Sequence, residues 1–480
     1  MSLRQLFSVR SMLPENIARQ GIPSSRSMYS EYIRIALPSV LEMVLISLIN
    51  MADTVMVSTI GTDAVAAVGL VNQPRFLVLC AFFAINTGLT TVVAHRKGEE
   101  RRADANTVLR NTLLLVFLLA LVMMAIFLPL AEPLMRFAGA EEGRTLEDAT
   151  LYFVIINTVL PLNTLSLAIC AAQRGAGNTR LTMYVNITSN LINILFNWLL
   201  INGIGPFPKL GVKGAAIATA IGLVCGFLLS LFSVLHTRRT DSFLLLTKHD
   251  SWKVDRKSLG DVLKISRSSL VEQVAIRIGF FSYSMIVASL GTDAFAANQI
   301  ASQFLSISYN AADGLGIAGT ALVGQKLGER RKDLAYIYGT LARRFSLVVA
   351  ILLAAFCVVC RGPLVSLFIS ENASPGVQEL SELLMIIVGI FQPFQMIATV
   401  AAGALRGAGD VKYTARVMML AVMLIRPLLA IACVWLIGTC MGLTDLALIG
   451  AWIAGVTDVL IRMILFVRRY TGGKWQDIQV

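Results

Sequence analysis

Charged side chains make up 15% of this 480-residue chain and apolar ones 56%. An ionisable group inside a long apolar stretch therefore needs a reason to be there. Those that stand out are Glu42, Asp53, Arg75, Glu272, Arg277, Asp313, Arg426, Asp458 and Arg462. An acid at mid-membrane depth costs at least ~2.5–3.5 kcal/mol, so it requires a partner, a water-filled cavity or a function. A carboxylate there can take up a proton or a monovalent cation. Neutral oxygens that could complete such a site come as a stripe: Asn186, Asn190, Asn193 and Asn197 fall on one helical face. Amide carbonyls are hard oxygen ligands and also hydrogen-bond a protonated carboxyl. Thr219, in GAAIAT, offers one more oxygen. Interhelical hydrogen bonding is the other reading of the stripe. Glu42 precedes Asp53 by close to three helical turns, so both share one face, about 16 Å apart.

Positioning these groups falls to membrane-spanning helices. Twelve apolar stretches are each long enough to cross ~30 Å of hydrocarbon: 33–60, 66–95, 106–137, 148–172, 179–202, 212–236, 262–290, 295–325, 335–369, 377–405, 412–438 and 444–467. A transmembrane barrel is excluded, because its strands are short and alternating. The net charge of +12 would suggest nucleic acid in a soluble chain, but here it sorts by side. About 26 of the 41 Lys and Arg residues fall in the N-terminal arm, every second connection and the tail, against about two in the alternate connections. The positive-inside rule then predicts cytoplasmic termini. The arm, 1–32, carries Arg4, Arg10, Arg19 and Arg26 but no apolar core or small-residue cleavage site. It reads as a juxtamembrane segment touching anionic headgroups, or as a disordered one, and not as a signal peptide.

An internal repeat organises the spans. Ile60 to Ala67 (IGTDAVAA) returns as Leu290 to Ala297 (LGTDAFAA), 230 residues later. Gly98-Glu-Glu-Arg-Arg102 returns at Gly328-Glu-Arg-Arg-Lys332, and Arg174-Gly-Ala-Gly-Asn178 at Arg406-Gly-Ala-Gly-Asp410. Blocks in the same order at near-constant spacing indicate duplication. Each copy holds six spans, so both halves take one orientation, with a binding cavity expected between them. The expected organisation is an all-α membrane protein: arm 1–32, six-helix bundle 33–236, cytoplasmic linker 237–261, six-helix bundle 262–467 and tail 468–480.

From about Tyr32 to Arg469 the sequence resembles the multidrug and toxic compound extrusion (MATE) transporters. The resemblance rests on IALPSVLEMVLISLINMADTVMVSTIG, on LINILFNWLLINGIGPFPKLGVKGAAIAT, on LVGQKLGER and on the paired RGAG turns. It implies two six-helix bundles around a central cavity, and export of organic, often cationic, compounds in exchange for Na⁺ or H⁺. Residue by residue, it implies that Asp53 of the DTxxV segment is the cation- or proton-binding carboxylate, and that Asn193 and Asn197 belong to the same site. With Thr219 they form the expected coupling site, and no other metal is expected. The family also carries a proline at Pro38, where a lost hydrogen bond favours a kink; Pro38 is the candidate hinge.

The second half lacks these features. Tyr283 stands at the counterpart of Asp53 and Ser268 at that of Pro38, so coupling is expected in the first half. Glu272, repeat mate of Glu42, resembles the family's seventh-helix acid. The tenth span has Gln392 and Gln395 where some relatives have an aspartate, which weakens a second cation site. Glu42, Glu272, Arg277, Gln299, Asp313, Gln395 and Arg426 are candidates for lining the cavity or for coupling. Structural ion pairing is the default for Arg277, Asp313 and Arg426. Asp458 and Arg462, four apart, read as an intrahelical pair.

Nothing supports an enzyme or a bound cofactor. Cys357-x-x-Cys360 lies in an apolar run without a second pair, Gly314-Leu-Gly-Ile-Ala-Gly319 lies within a span, and no P-loop motif occurs. His95, His236 and His249 lie near the cytoplasmic connections. The expected partners are a small-molecule substrate and membrane lipid, not nucleic acid, for a monomer in the plasma (inner) membrane. The rival function is a flippase for an anionic, lipid-linked precursor of the same broad superfamily, with Arg75, Arg277 and Arg426 as phosphate ligands. A passive channel is disfavoured by the absence of a charge ring or carbonyl filter.

Overall fold

The computed structural model describes residues 8–13, 21–140, 142–236, 243–247, 252–366, 368, 375–440, 446–478 and 480. Arg4, Arg19 and His249 lie outside them. Among the described residues the chain is predominantly helical and contains no strand. The helices are α1 (Ser25–Ser58), α2 (Thr62–Gly98), α3 (Arg102–Phe127), α4 (Ala131–Phe137), α5 (Arg144–Thr158), α6 (Leu160–Gly175), α7 (Thr179–Asn202) and α8 (Val212–Leu235). There follow α9 (Arg256–Ala288), α10 (Thr292–Gly328), α11 (Lys332–Val359), α12 (Arg361–Ser366), α13 (Pro375–Gly407), α14 (Val411–Met418), α15 (Arg426–Val434) and α16 (Ala447–Thr471).

Among the described residues ten helical elements are individually long and apolar enough to cross a membrane, and α5 with α6 supplies another as a pair bent by 55°. The remaining expected span, 295–325, is α10, which has 37 residues but no stretch as apolar as those of the other ten. Three expected spans are interrupted. The stretch 106–137 breaks after Phe127, where Pro129 cannot donate the next helical hydrogen bond. The stretch 148–172 bends at Val159, two residues before Pro161, and 335–369 breaks at Cys360, before Pro363. In the eleventh span, π-helical turns at Met419–Ile425 and Trp435–Cys440 flank α15. Pro427 is the second residue of α15, and a proline ring clashes with the carbonyl four residues earlier, which accounts for the wide turn before it.

The chain divides into two compact units, one of 41–270 and one of 1–40 with 271–480. Both boundaries fall inside helices, α1 and α9, rather than in the connection 237–261, and they lie 230 residues apart, the repeat offset.

The repeat is visible in how each unit is fastened. In the unit of 41–270, Thr90 Oγ1 donates to the Ala171 carbonyl at 2.9 Å, and a methyl on Gly175 would sit 2.5 Å from the Thr90 oxygen. The other unit repeats this: Thr320 donates to Gly403 at 2.7 Å, and a methyl on Gly407 would overlap the Thr320 carbonyl. Small residues here let backbones approach closely, the usual source of cohesion between membrane helices. At the end of α2, Arg96 pairs with Glu99 at 3.0 Å and with Asp261 at 3.1 Å. Its repeat mate Lys326 pairs with Glu329 at 2.9 Å and lies 4.0 Å from Glu31. The turns that follow, at Glu100 and Arg330, share a left-handed φ of 58°.

Apolar cores fill each unit. One gathers Val57, Val71, Met135, Phe153 and Ala216, and the other Val287, Leu384, Phe391, Ala430 and Trp452. Part of the N-terminal arm is packed rather than free: Val9, Met12 and Leu13 are buried, on a short 3-10 turn that contacts α11.

Candidate functional site

α7 begins after the Asn178 turn and ends at Gly203, whose φ of 72° supplies a left-handed cap. Between these ends the asparagine stripe faces α1 and α8. Asn197, fully buried, donates its amide to Asp53 Oδ1 on α1. One turn earlier, Asn193 Nδ2 donates to Thr219 Oγ1 on α8 at 3.1 Å. Thr219 in turn donates to the Ala215 carbonyl at 2.9 Å and lies 3.5 Å from the Tyr152 hydroxyl on α5. The four residues expected at the coupling site, Asp53, Asn193, Asn197 and Thr219, are thus brought into one region. Tyr152 and Arg75 join them. Arg75, half-buried on α2 beside Pro74, acts electrostatically on both Asp53 and Tyr152. Tyr152 was legible only as a hydroxyl in the fourth apolar stretch; buried tyrosines need a polar partner, which is the signal that could have flagged it.

Asn197 Oδ1 is buried and accepts no hydrogen bond among the described residues. An orphaned buried acceptor costs about 1–3 kcal/mol. Beside a carboxylate it offers a second oxygen to a cation, or to a proton carried by Asp53. Among the described residues no three His, Cys, Asp or Glu side chains converge, so the donors here are one carboxylate and neutral oxygens. That donor set fits Na⁺ or H⁺.

Glu42 shares α1 with Asp53 but not its neighbours. It is fully buried and held by Thr182 at 2.9 Å, Asn186 at 2.6 Å and Arg174 at 3.5 Å. The amide stripe is therefore divided: Asn186 serves Glu42, Asn190 turns back to the Asn186 carbonyl, and Asn193 and Asn197 serve the Asp53 region. Glu272 repeats the anchor, with Arg406 at 2.5 Å and Thr414 at 3.2 Å. Both arginines begin the RGAG turns, so those motifs position the counter-ions of two buried glutamates.

Elsewhere in the second half, Arg426 on α15 reaches Asp458 on α16 at 2.9 Å, and Arg462 reaches the same carboxylate at 3.0 Å. The Arg426 guanidinium also lies 4.7 Å from the Phe280 ring and 5.6 Å from that of Tyr283. All three charged residues are buried, so the group carries one excess positive charge. Gln395 is buried and donates to Thr399 at 3.1 Å; Gln299 is exposed on α10. Pro38 is buried within α1, two residues before the unit boundary. Arg277 is exposed. Asp313 corrects an expectation: among the described residues it makes no ion pair, and Arg406, which acts on it electrostatically, is bound to Glu272.

Two stretches of the chain, 38–199 and 269–432, match the MatE family. A probable multidrug resistance protein NorM of Thermotoga maritima is 26% identical over 468 residues, covering 97% of this chain and 96% of that protein. An outward-facing multidrug resistance MATE family transporter of the MOP superfamily superposes with a TM-score of 0.83 at 21% identity, over 93% of this chain and 97% of that one. A MOP superfamily transporter from Pyrococcus furiosus, with reverse polarity in its binding pocket and a different suggested function, superposes with a TM-score of 0.81 at 21% identity, over 93% and 97%.

Proposed function

The chain belongs to the MatE family, and from that premise we propose that it exports organic, often cationic, compounds in exchange for Na⁺ or H⁺. Members of the family are transporters and not enzymes, and this chain is a multi-pass membrane protein. In the proposed cycle the outward-facing protein takes the coupling ion at Asp53, which lowers its affinity for substrate. The inward-facing protein releases the ion and reloads. Each ligand shifts the balance of states only through its different affinity for them. Bending at Pro38 is the proposed link between ion binding and the change of state.

The observation that carries this reading is the Asp53–Asn197 pair with its unpartnered, buried Asn197 Oδ1. A cation at Asp53, or a proton on it, supplies what that oxygen lacks. The proposed working form is a monomer in the plasma (inner) membrane with cytoplasmic termini, supported by the charge asymmetry of the connections, and with bundles 33–236 and 262–467 as its working halves.

The test is efflux of a fluorescent organic cation from proteoliposomes under imposed Na⁺ or proton gradients. Wild type should respond to one gradient, and D53N should lose at least ~10-fold of the driven rate, about 1.4 kcal/mol. A D53N protein with undiminished, ion-dependent efflux would refute the site. A second reading, transport of an anionic precursor, is favoured by the excess positive charge of Arg426, Asp458 and Arg462. It predicts efflux or flipping of an anionic probe and indifference to the cationic one.

A further inference from the structure

α10 is unlike the other long helices in what it shows to the outside. Among its described residues no large hydrophobic side chain is exposed, whereas α11 exposes Leu347, Val348, Ile351, Leu352 and Phe356. A membrane helix with lipid against it looks like α11. The accessible positions of α10 instead form a polar column, Gln299, Gln303, Ser306, Asn310 and Asp313, at alternating spacings of 4 and 3. Gln299, Gln303 and Asp313 are exposed, and Ser306 and Asn310 half-buried. The opposite face is small and buried, with Ala311, Ala312, Gly314 and Ala318. Gly314 is so close to the backbone of Val40 that an added methyl would sit 2.6 Å from its Cα.

Asp313 ends this column about 32 Å from the start of α10 and about 22 Å from its end, at 1.5 Å per residue. An accessible carboxylate at that depth faces water, not lipid. Among the described residues it also makes no hydrogen bond or ion pair, whereas Asp53 accepts from Asn197. Na⁺ exchanges its water shell for several oxygens at once, which Asp313 does not offer. A large, weakly hydrated organic cation needs one counter-charge beside a surface it can rest on, and Ile317 stands one turn along the helix.

We propose that the polar column of α10 is a water-accessible wall of the unit of 1–40 and 271–480, and that Asp313 is its binding carboxylate for the positively charged group of an organic cation. The proposal rests on the organic-cation reading of the function and adds a residue and a surface to it. The test is calorimetric binding of tetraphenylphosphonium to the purified full chain in nanodiscs. D313N should weaken binding at least ~10-fold, and D313E should stay within about threefold of wild type. D313N should also keep the Na⁺ or pH response that belongs to Asp53, which a misfolded protein would lose. Unchanged affinity in D313N would overturn the assignment while leaving the function standing. A loss in D313E as large as in D313N would overturn it too, since charge would then not be what matters. If wild type itself fails to bind the probe, the organic-cation reading falls and the ligand named for Asp313 falls with it.

Discussion

The two halves are fastened alike and differ in which carboxylate they leave unfastened. Glu42 with Arg174 and Thr182 corresponds, at the repeat offsets, to Glu272 with Arg406 and Thr414. The other acids deep in the spans do not correspond. Asp53 stands where the second half has Tyr283, and its neighbours Asn193, Asn197 and Thr219 where that half has Ile425, Leu429 and Ala451. Asp313 stands where the first half has Phe83; in the column leading to it Gln303 matches Gln73, while Gln299, Ser306 and Asn310 stand where the first half has Gly69, Phe76 and Cys80. The first half likewise has Ile194, Gly226 and Ser230 where the second buries Arg426, Asp458 and Arg462. Duplication has kept the anchors, because removing one partner of a buried pair is costly. It has let the other polar positions diverge, so ligand chemistry is expected at the places where the halves disagree.

The largest effect should come from the charge group found only in the second half. D458N would leave two buried guanidinium groups facing an uncharged amide, and should destabilise the protein by about 5 kcal/mol, the upper end for breaking a buried pair. Thermal unfolding in detergent with and without a rescuing R426M change would measure it. If D458N alone unfolds near wild type, Asp458 is not the counter-ion of both arginines.

The shared anchors should rank next and unequally. E272Q removes an ion pair of 2.5 Å, and E42Q one of 3.5 Å whose carboxylate keeps two further donors. E272Q should therefore cost about 3 kcal/mol and E42Q less, while neither should reduce ion-dependent efflux as strongly as D53N is expected to. Loss of coupling in E42Q with an unchanged melting temperature would erase the distinction between fastened and ligand-binding acids.

Within the first-half site, the effects should follow the order of contact with Asp53. N197A removes its hydrogen-bond donor and should weaken ion binding about 10-fold, in line with ~1.5 kcal/mol for a bond to a charged group. N193A and T219A act one contact further away and should weaken it by about threefold or less. The ion dependence of efflux, titrated for each variant, tests the order.

How much of this was legible beforehand follows the range of the interactions. The twelve spans and the stripe at 4, 3 and 4 are local periodicities, and Asp458–Arg462 is a pair within one turn; all can be read along the chain. Arg426–Asp458, Glu42–Arg174 and Tyr152–Thr219 join residues 32, 132 and 67 positions apart, and no local pattern specifies them. The exposure of Asp313 was hidden for the same reason, since depth in a span suggested burial. The breaks at Phe127, Val159 and Cys360 could have been read from the prolines just after them, but span length masked them.

The smallest predicted difference lies at the starts of the two halves. α1 is preceded by Ser24, whose hydroxyl accepts from the Ser27 N–H at 3.3 Å. α9 is preceded by Asp255, which accepts from the Ser258 N–H at 3.1 Å, the Lys257 N–H at 3.3 Å and the Ser258 hydroxyl. Both are helix caps, but only one can be titrated. The Ser258 hydroxyl and then the backbone N–H groups favour the charged form, so the Asp255 carboxyl is held below its ordinary 3.8. A depressed value means that the cap's stabilisation is fully present above 3.8 and fades as pH falls through the lower folded value. Hydrogen exchange in the first turn of α9 should therefore accelerate on acidification below about pH 3.8, once the intrinsic rate is corrected for. The first turn of α1 should not respond, and D255N should remove the response from α9. An equal response in both turns would mean that acid loosens the protein as a whole, and that the charged cap contributes nothing local.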